Sequence, residues 1–237
     1  MSQPTPPGRN PWNPETDPPP KNTKDDKLVD RWTRYFRLYT GVGVTSAERE
    51  TLRNEVAQRW DYKDWLKCEE QRDHLMRNSP IIRFLLDELE KSGCAFSREH
   101  LKCLPCDATR SGGFSPKQGV QICYNRLISK GHMEDTIAHE LIHAYDHCKF
   151  KMDLRNCYHH ACTEIRAASL SGDCRFLREV RRGHLSFVKQ HQVCVRRRAT
   201  LALKANPNCN APGVAEEAVN KVFQSCFTDT RPFDEIY

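Results

Sequence analysis

Two histidines and a glutamate stand at a spacing that can activate a water on a metal ion. The stretch "TIAHELIHAYDHC" places His139 and His143 four residues apart, with Glu140 between them. In an α-helix, residues i and i+4 share a face, so both imidazoles can bind one ion. Glu140 lies roughly 100° around the helix from His139, where its carboxylate can reach a water on that ion. The pattern predicts one catalytic Zn²⁺, with His139 and His143 as ligands and Glu140 as general base.

The third protein ligand that a catalytic zinc requires is left open by the sequence. The segment "CYHHACTEIRAA" offers Glu164 on the next predicted helix, and it offers His159 or His160 for a three-histidine site. Asp146 lies on the same helix as the histidine pair, where a further ligand would strain a tetrahedral site. We therefore expect Asp146 to accept a hydrogen bond from an imidazole N–H instead.

The elements around this motif are mostly helical. Apolar residues at helical spacing predict a first helix over Leu28–Tyr39. Thr45 begins a second helix that runs toward Trp60, and another follows through Leu75. Ser79, with a proline after it, begins a strongly apolar helix. These helices have no chemistry that the sequence reveals.

One segment alternates in the manner of a β-strand. In "GVQICYN", residues 119–125, the apolar residues Val120, Ile122 and Tyr124 fall on one face. We expect this segment to be an edge strand beside the histidine helix, where it pairs with a substrate peptide as an added strand. This arrangement resembles the zincin metalloproteases. The expected fold class is α+β, predominantly helical, with a small sheet next to the zinc-binding helix.

The composition indicates one folded domain preceded by an unpacked segment. Mean hydropathy is −0.74, and eight of the 14 prolines lie in the first 26 residues. We predict a disordered proline-rich leader over residues 1–27 and a single domain over residues 28–237. The domain is expected to have three parts: a helical N-terminal part (28–93), a catalytic core (94–170) and a helical C-terminal part (171–237).

Charge and hydropathy limit the kinds of function that the protein can have. No window approaches the roughly eighteen consecutive apolar residues of a membrane span. The net charge of +6 permits an anionic membrane or a nucleic acid as partner but requires neither. The N-terminus shows neither the apolar core of a secretory signal nor the Arg-rich helix of a matrix-targeting peptide.

Twelve cysteines are spread over the chain beyond residue 67. An even number of this size favours disulfides formed in an oxidising compartment. Cys103 and Cys106, in "CLPC", could instead form half of a zinc-ribbon site, but the chain has no second CxxC to complete it.

Two motifs together, "AHELIHAYDHC" and "HHACTEIRAASLSGDCRF", resemble the mitochondrial inner membrane metalloproteases that also serve as ATP synthase assembly factors. The resemblance extends roughly from Trp32 to the C-terminus, and it implies that His139 and His143 bind zinc and that Glu140 is catalytic. It implies a peripheral inner membrane protein on the intermembrane space side that removes the N-terminal presequence of ATP synthase subunit a (subunit 6). It also implies a chaperone-like role, independent of proteolysis, in assembling unprocessed subunit a into the membrane sector.

The resemblance also accounts for the cysteines, because intermembrane-space proteins can be retained by oxidative folding. Cys148 and Cys157 lie on either side of the loop that leaves the histidine helix. A disulfide between them is predicted to hold the two ligand helices together.

Two alternative functions remain open. A DNA-associated zinc protease that acts on DNA–protein crosslinks would use "VRRRATLALK" and "REVRRGH" as a phosphate-binding surface. That alternative leaves the cysteines unexplained, and we expect no nucleic acid as partner; in our interpretation these basic runs are solvated or contact anionic inner-membrane lipid. A non-proteolytic assembly chaperone is the other alternative.

Overall fold

The computed structural model describes residues 11–20, 28–107, 110–184 and 189–234. Within these ranges the chain forms eight α-helices and three short strands, so the expected class, α+β and predominantly helical, is confirmed. The elements are α1 (Leu28–Thr40), α2 (Ser46–Asn78), α3 (Pro80–Lys91), β1 (Leu101–Leu104), β2 (Gly112–Ser115), β3 (Gly119–Cys123), α4 (Lys130–Lys149), α5 (Cys157–Leu170), α6 (Phe176–Arg181), α7 (Gln190–Ala205) and α8 (Val214–Phe227). In the described part of the chain, no helix is both long and apolar enough to cross a membrane.

A single long helix occupies the region where two were predicted. α2 begins after Thr45, whose hydroxyl accepts the Glu48 amide N–H at 3.2 Å while the Glu48 carboxylate accepts the Thr45 N–H at 2.7 Å. The helix continues past Trp60 to Asn78. The predicted break near Trp60 is wrong, because the residues that follow contain neither glycine nor proline to end a helix.

The three strands form one mixed sheet in the order β1-β3-β2. β3 pairs in parallel with β1 and antiparallel with β2, so it is the central strand. The prediction that residues 119–125 form the edge strand is wrong, because alternation along a strand does not reveal how many neighbours it has. Gly119 begins β3 at φ +80°, and a Cβ there would lie 2.3 Å from the carbonyl oxygen of His100, so this position requires glycine.

Two clusters of buried apolar side chains form the interior. The first packs α2, α3 and α4 against the sheet, with Leu85 and Ile137 fully buried. The second packs α5, α7 and α8 together, with Ile165 and Phe223 among its buried residues. α4 packs directly against α5, and this contact brings the two clusters together. The division of the domain into N-terminal, catalytic and C-terminal parts stays a prediction.

All twelve cysteines are paired, in agreement with the prediction of disulfides. The bonds are Cys68–Cys103, Cys94–Cys148, Cys106–Cys123, Cys157–Cys209, Cys162–Cys226 and Cys174–Cys194. The predicted bond between Cys148 and Cys157 is wrong: Cys148, at the end of α4, meets the loop after α3, whereas Cys157 meets the loop after α7. The two cysteines of "CLPC" have different partners and do not form half of a metal site.

Part of the proline-rich leader is packed. Trp12 is only 3% exposed, its backbone N–H donates to a carboxylate oxygen of Asp61 at 3.0 Å, and its ring lies 5.3 Å from that of Trp65. The prediction of a disordered leader over residues 1–27 is therefore wrong for residues 11–20, because one large aromatic side chain anchors this segment to α2. The rest of the leader lies outside the described residues.

Four of the six arginines in the two basic runs are paired with carboxylates within the fold, and Arg178 is one of them, with Asp135. Arg182 and Arg198 bond Asp173 at 2.5 and 2.7 Å, and Arg197 bonds the fully buried Glu179 at 2.8 Å. These side chains are held by acidic partners of their own chain. They are therefore not an open surface for phosphate groups.

Candidate metal and catalytic site

The helix that carries the histidine pair is positioned by its apolar residues. Ile137, Leu141 and Ile142 on α4 are fully buried. His139 and His143 project from another side of α4 into a cleft, where their Nε2 atoms lie 3.1 Å apart. The two imidazoles thus share a face, as the spacing predicts.

The third candidate ligand comes from α5. A carboxylate oxygen of Glu164 lies 3.5 Å from Nε2 of His143, and the other lies 3.7 Å from Nε2 of His139. In the described ranges, these three residues are the group that could hold a metal ion, with ligand atoms all within 4.8 Å of one another. His159 is exposed, and its Nδ1 faces the backbone N–H of Asp153 at 3.3 Å, so the structure does not bring it to the site.

His160 lies beside the candidate ligands as a hydrogen-bond donor. Its Nε2 is 3.3 Å from a Glu164 oxygen, and its Nδ1 is 2.8 Å from the amide nitrogen of Asn206. That amide is oriented by two further bonds, because its nitrogen donates to the Leu154 carbonyl at 2.9 Å and its oxygen accepts the Asn208 backbone N–H at 3.0 Å.

The orientation of the Asn206 amide decides the tautomer of His160. An amide NH₂ can only donate, so Nδ1 of His160 accepts and carries no proton. By this hydrogen-bond assignment, the ring proton is on Nε2. His160 therefore presents an N–H to the cleft and to Glu164, rather than a lone pair that could bind a metal.

A chain of hydrogen bonds orients His143 from behind. Its Nδ1 lies 2.8 Å from the hydroxyl of Thr163, and that hydroxyl donates to a carboxylate oxygen of Asp146 at 2.8 Å. Because the hydroxyl proton goes to Asp146, the hydroxyl oxygen accepts from Nδ1–H, and the Nε2 lone pair of His143 faces the cleft. Arg166 pairs with Asp146 at 3.0 Å and donates to the backbone carbonyl of Asp229 at 2.6 Å. The predicted direct bond between Asp146 and an imidazole is not observed, since Thr163 lies between them.

The protonation states of the candidate ligands suit a metal ion. Burial lowers the pKa of His139, and it lowers the pKa of His143 to about 4, so both imidazoles are neutral at neutral pH. Burial alone would raise the pKa of Glu164, but His143 foremost, with the other imidazoles around it, lowers that pKa to about 2. Glu164 is therefore ionised.

Glu140 has the opposite shift. Burial, and then the negative charge of Glu164, raise the pKa of Glu140 to about 8. Its carboxyl group therefore exchanges a proton near neutral pH, which is the property required of a general acid or base.

The edge strand β2 forms one wall of the cleft. The cleft has a volume of about 480 Å³, and Gly112, Gly113 and Phe114 of β2 line it. A Cβ on Gly112 would meet a methyl group of Thr136 at 2.7 Å and a carboxylate oxygen of Glu140 at 3.2 Å. Glycine at this position therefore allows the strand to approach Glu140 closely.

Three residues of the site were not found by sequence reasoning. Thr163 precedes Glu164 directly, and its place on the same helix could have suggested a supporting role. Asn206 is 46 residues from His160, and no spacing rule connects them. Gly112 lies in a region rich in glycine, where no signal separates it from its neighbours.

Comparison with known proteins identifies relatives over most of the chain. The Peptidase M76 family matches residues 66–234. A mitochondrial inner membrane protease atp23 from Neosartorya fischeri is 48% identical over 214 residues, which cover 90% of each chain. Proteins of the same name from Coccidioides immitis and Meyerozyma guilliermondii are 46% and 40% identical, covering 92% and 95% of this chain and 94% and 95% of their own. No solved structure matches.

Proposed function

The chain belongs to the peptidase M76 family, and from this premise we propose that it is a zinc-dependent endopeptidase of the mitochondrial inner membrane. One observation carries the proposal. His139 and His143 from α4 and Glu164 from α5 converge in a cleft that also contains Glu140. The family supports peptidase activity, and the names of the relatives support the mitochondrial location.

The donor set fits Zn²⁺. Two neutral imidazoles and one carboxylate form a known catalytic zinc ligand set, and the Thr163 hydroxyl holds the tautomer of His143 that such a site needs. His139, His143 and Glu164 would hold the ion. Bound zinc supplies an activated water and a Lewis acid for the scissile carbonyl. We favour Glu164 over His160 as the third ligand, because Nε2 of His160 carries a proton.

Other residues of the chain bind the substrate, transfer the proton and stabilise the carbonyl oxygen. The substrate backbone pairs with the free edge of β2, which brings a scissile carbonyl past Glu140. Glu140 accepts a proton from the attacking water and returns it to the leaving amine. Nε2–H of His160 donates to the carbonyl oxygen as negative charge develops there. Glu140 must be ionised to act as base, and neutralisation of Glu164 by a bound cation removes one of the two causes of its raised pKa.

We propose that the substrate is unprocessed ATP synthase subunit a, from which the enzyme removes the N-terminal presequence on the intermembrane space side. The tandem motifs around His139 and Glu164 support this assignment. The six disulfides fit an oxidising compartment. Peripheral association with the inner membrane and a chaperone-like role in assembling the ATP synthase membrane sector belong to the same proposal.

The first experiment tests proteolysis with a variant that keeps the shape of the site. Purified, oxidised wild type and Glu140→Gln are incubated with membrane-inserted subunit a precursor, and the new N-terminus is read by mass spectrometry. We expect cleavage at one position by the wild type and none by Glu140→Gln, with zinc bound in both. Cleavage by Glu140→Gln would remove Glu140 as the base. If zinc-loaded wild type leaves the precursor intact, the assignment of subunit a as the substrate is wrong.

The same variant separates the chaperone role in cells. Unprocessed subunit a with normal ATP synthase assembly in the Glu140→Gln strain supports an assembly role independent of proteolysis. Failed assembly, with the variant present at normal abundance, contradicts that part of the proposal.

A second experiment identifies the ligands by elemental analysis of purified variants. We expect one zinc per chain in the wild type, loss of zinc in His143→Ala and Glu164→Ala, and retention in His159→Ala and His160→Ala. His160→Ala is expected to lower kcat by about 10²-fold or more with little change in KM, as removal of an oxyanion donor does. Loss of zinc in His160→Ala, with retention in Glu164→Ala, would reassign the third ligand.

No observation favours the DNA-associated alternative. That alternative requires the two basic runs to bind phosphate groups. Arg182, Arg197 and Arg198 of these runs are instead paired with Asp173 or Glu179.

A further inference from the structure

α1 carries an aromatic face that lies open to solvent. Val29, Trp32, Tyr35, Phe36 and Tyr39 recur at helical spacing and occupy an arc of about 120°. Trp32 is 70% exposed, Phe36 57% and Tyr39 72%. A contiguous exposed patch of large apolar side chains is uncommon on a folded protein and marks an interaction surface. We call these five residues the aromatic face of α1.

The helix is held to the protein from another side. Leu38 lies outside the aromatic arc and is only 8% exposed. The Arg49 guanidinium of α2 donates to the backbone carbonyls of Leu38 and Tyr39 at 2.8 and 3.0 Å. These contacts secure the end of α1 on α2, and they leave the aromatic face directed away from the protein.

The composition of α1 identifies the chemistry of its partner. The helix contains three arginines and one aspartate, a net charge of +2, which favours an anionic partner. Trp32, Tyr35 and Tyr39 each combine an apolar ring with a polar N–H or O–H group. In a dry protein groove, each of these groups would need a placed acceptor, whereas water and phosphate oxygens satisfy them at a lipid headgroup layer.

We infer that α1 binds the surface of an anionic lipid bilayer, with its aromatic face at the boundary between headgroups and acyl chains. The choice of lipid as occupant rests on the proposed inner-membrane location, but it does not depend on the proposed peptidase activity. The basic runs on α6 and α7 are weaker candidates for this contact, because Arg182, Arg197 and Arg198 already have carboxylate partners.

Vesicle flotation of the full-length protein tests the inference. Vesicles contain phosphatidylcholine alone or phosphatidylcholine and phosphatidylglycerol at roughly four to one. We expect wild type to float with the anionic vesicles, and the double variant Trp32→Ser/Phe36→Ser to lose about tenfold or more in partition coefficient. The matched control is Trp60→Ser/Leu66→Ser on α2, which removes two apolar side chains that are 56% and 45% exposed. This control is expected to float like wild type.

A spectroscopic measurement locates the contact. Tryptophan quenching by brominated acyl chains is expected to fall in Trp32→Phe, although that variant keeps its apolar side chain and still floats. Glu140→Gln is expected to float like wild type, so failure of the peptidase proposal leaves this result unaffected. The inference is overturned if wild type binds neither vesicle, if the α1 double variant floats like wild type, or if the α2 control loses as much binding.

Discussion

Two halves of the molecule are each cross-linked by disulfides, whereas no disulfide crosses the junction between them. Three disulfides lie within residues 68–148, the first half, and three lie within residues 157–226, the second half; no disulfide joins the two. The candidate metal site takes two histidines from the first half and Glu164 from the second. Covalent bonds thus cross-link each half, while the placement of the ligands relative to one another depends on non-covalent contacts.

Buried polar contacts cross the junction between the two halves. Thr163 of α5 bonds His143 of α4 at 2.8 Å, and Arg166 of α5 bonds Asp146 of α4 at 3.0 Å. A disulfide stabilises mainly by restricting the unfolded chain, whereas these bonds act on the geometry of the folded site. We infer that the disulfides contribute stability without placing the metal ligands, whereas the junction contacts contribute both stability and ligand placement. Disulfide variants can therefore separate stability from metal binding.

The largest effect is expected from Arg166→Ala. The side chains of Arg166 and Asp146 are 2% and 1% exposed, so the variant removes the guanidinium that pairs with a buried carboxylate and leaves only the Thr163 hydroxyl bonded to it. We expect the free energy of unfolding to fall by about 3–5 kcal/mol, and zinc affinity to fall with it. Urea denaturation and zinc titration of the oxidised protein measure both quantities.

The matched control for Arg166→Ala is Arg155→Ala. Arg155 pairs with Asp153 at 3.3 Å, but its side chain is 83% exposed. We expect a change within about 0.5 kcal/mol and unchanged zinc binding, because exposed ion pairs contribute little. Equal effects from the two arginines would contradict the special position of the junction.

Removal of a disulfide from the second half is expected to lower stability while sparing the metal. Cys162–Cys226 closes a separation of 64 residues, and Cys162→Ser/Cys226→Ser is expected to cost about 2–4 kcal/mol. Calorimetry and zinc analysis below the melting temperature are the measurements. Loss of zinc from a still-folded double variant would break the separation between stability and metal binding.

Asp173 tests non-covalent bonds inside one half. Burial raises the pKa of Asp173, but the opposing effect of Arg198 and Arg182 is larger. The pKa is therefore lowered from its ordinary value of 3.8 to about 2. A lowered folded-state pKa contributes stability above pH 3.8, and that stability is lost as the pH falls toward 2. We expect Asp173→Asn to be less stable than wild type by about 2 kcal/mol at neutral pH.

The difference between Asp173→Asn and wild type is expected to shrink as the pH is lowered through that interval. Urea denaturation at neutral pH and at successively lower pH values follows it. A difference that stays constant with pH would show that the ion pairs of Asp173 do not stabilise the fold.

Apart from the exposed control Arg155→Ala, the smallest change in stability is expected from Thr163→Val, which removes one hydroxyl at the junction. We expect a loss of about 1 kcal/mol in unfolding free energy and of about 10–100-fold in zinc affinity. Thr163→Ser keeps the hydroxyl and is expected to retain wild-type zinc affinity. If Thr163→Ser lost as much zinc affinity as Thr163→Val, the methyl group rather than the hydrogen bond would be responsible.

The histidine pair and its helix could be predicted because their signals are local. Residues four apart on a helix share a face whatever the rest of the chain does, and His139 and His143 do so here. The same reasoning placed Glu164 on a separate helix, but it could not choose among Glu164, His159 and His160. The structure directs His159 away from the site, which leaves Glu164 and His160. That choice depends on the tautomer of His160, which Asn206 decides from a distant part of the chain.

The sequence by itself determined the helical class, the presence of disulfides and the helix of the candidate site, because capping, periodicity and composition act over a few residues. Only the tertiary structure decided the disulfide partners, the central place of β3, the edge strand beside Glu140 and the hydrogen bonds behind His143. Each of these depends on contacts between residues far apart in the chain. The free energies that select such contacts come from packing and burial across the whole domain. They therefore cannot be read from any short segment of the sequence.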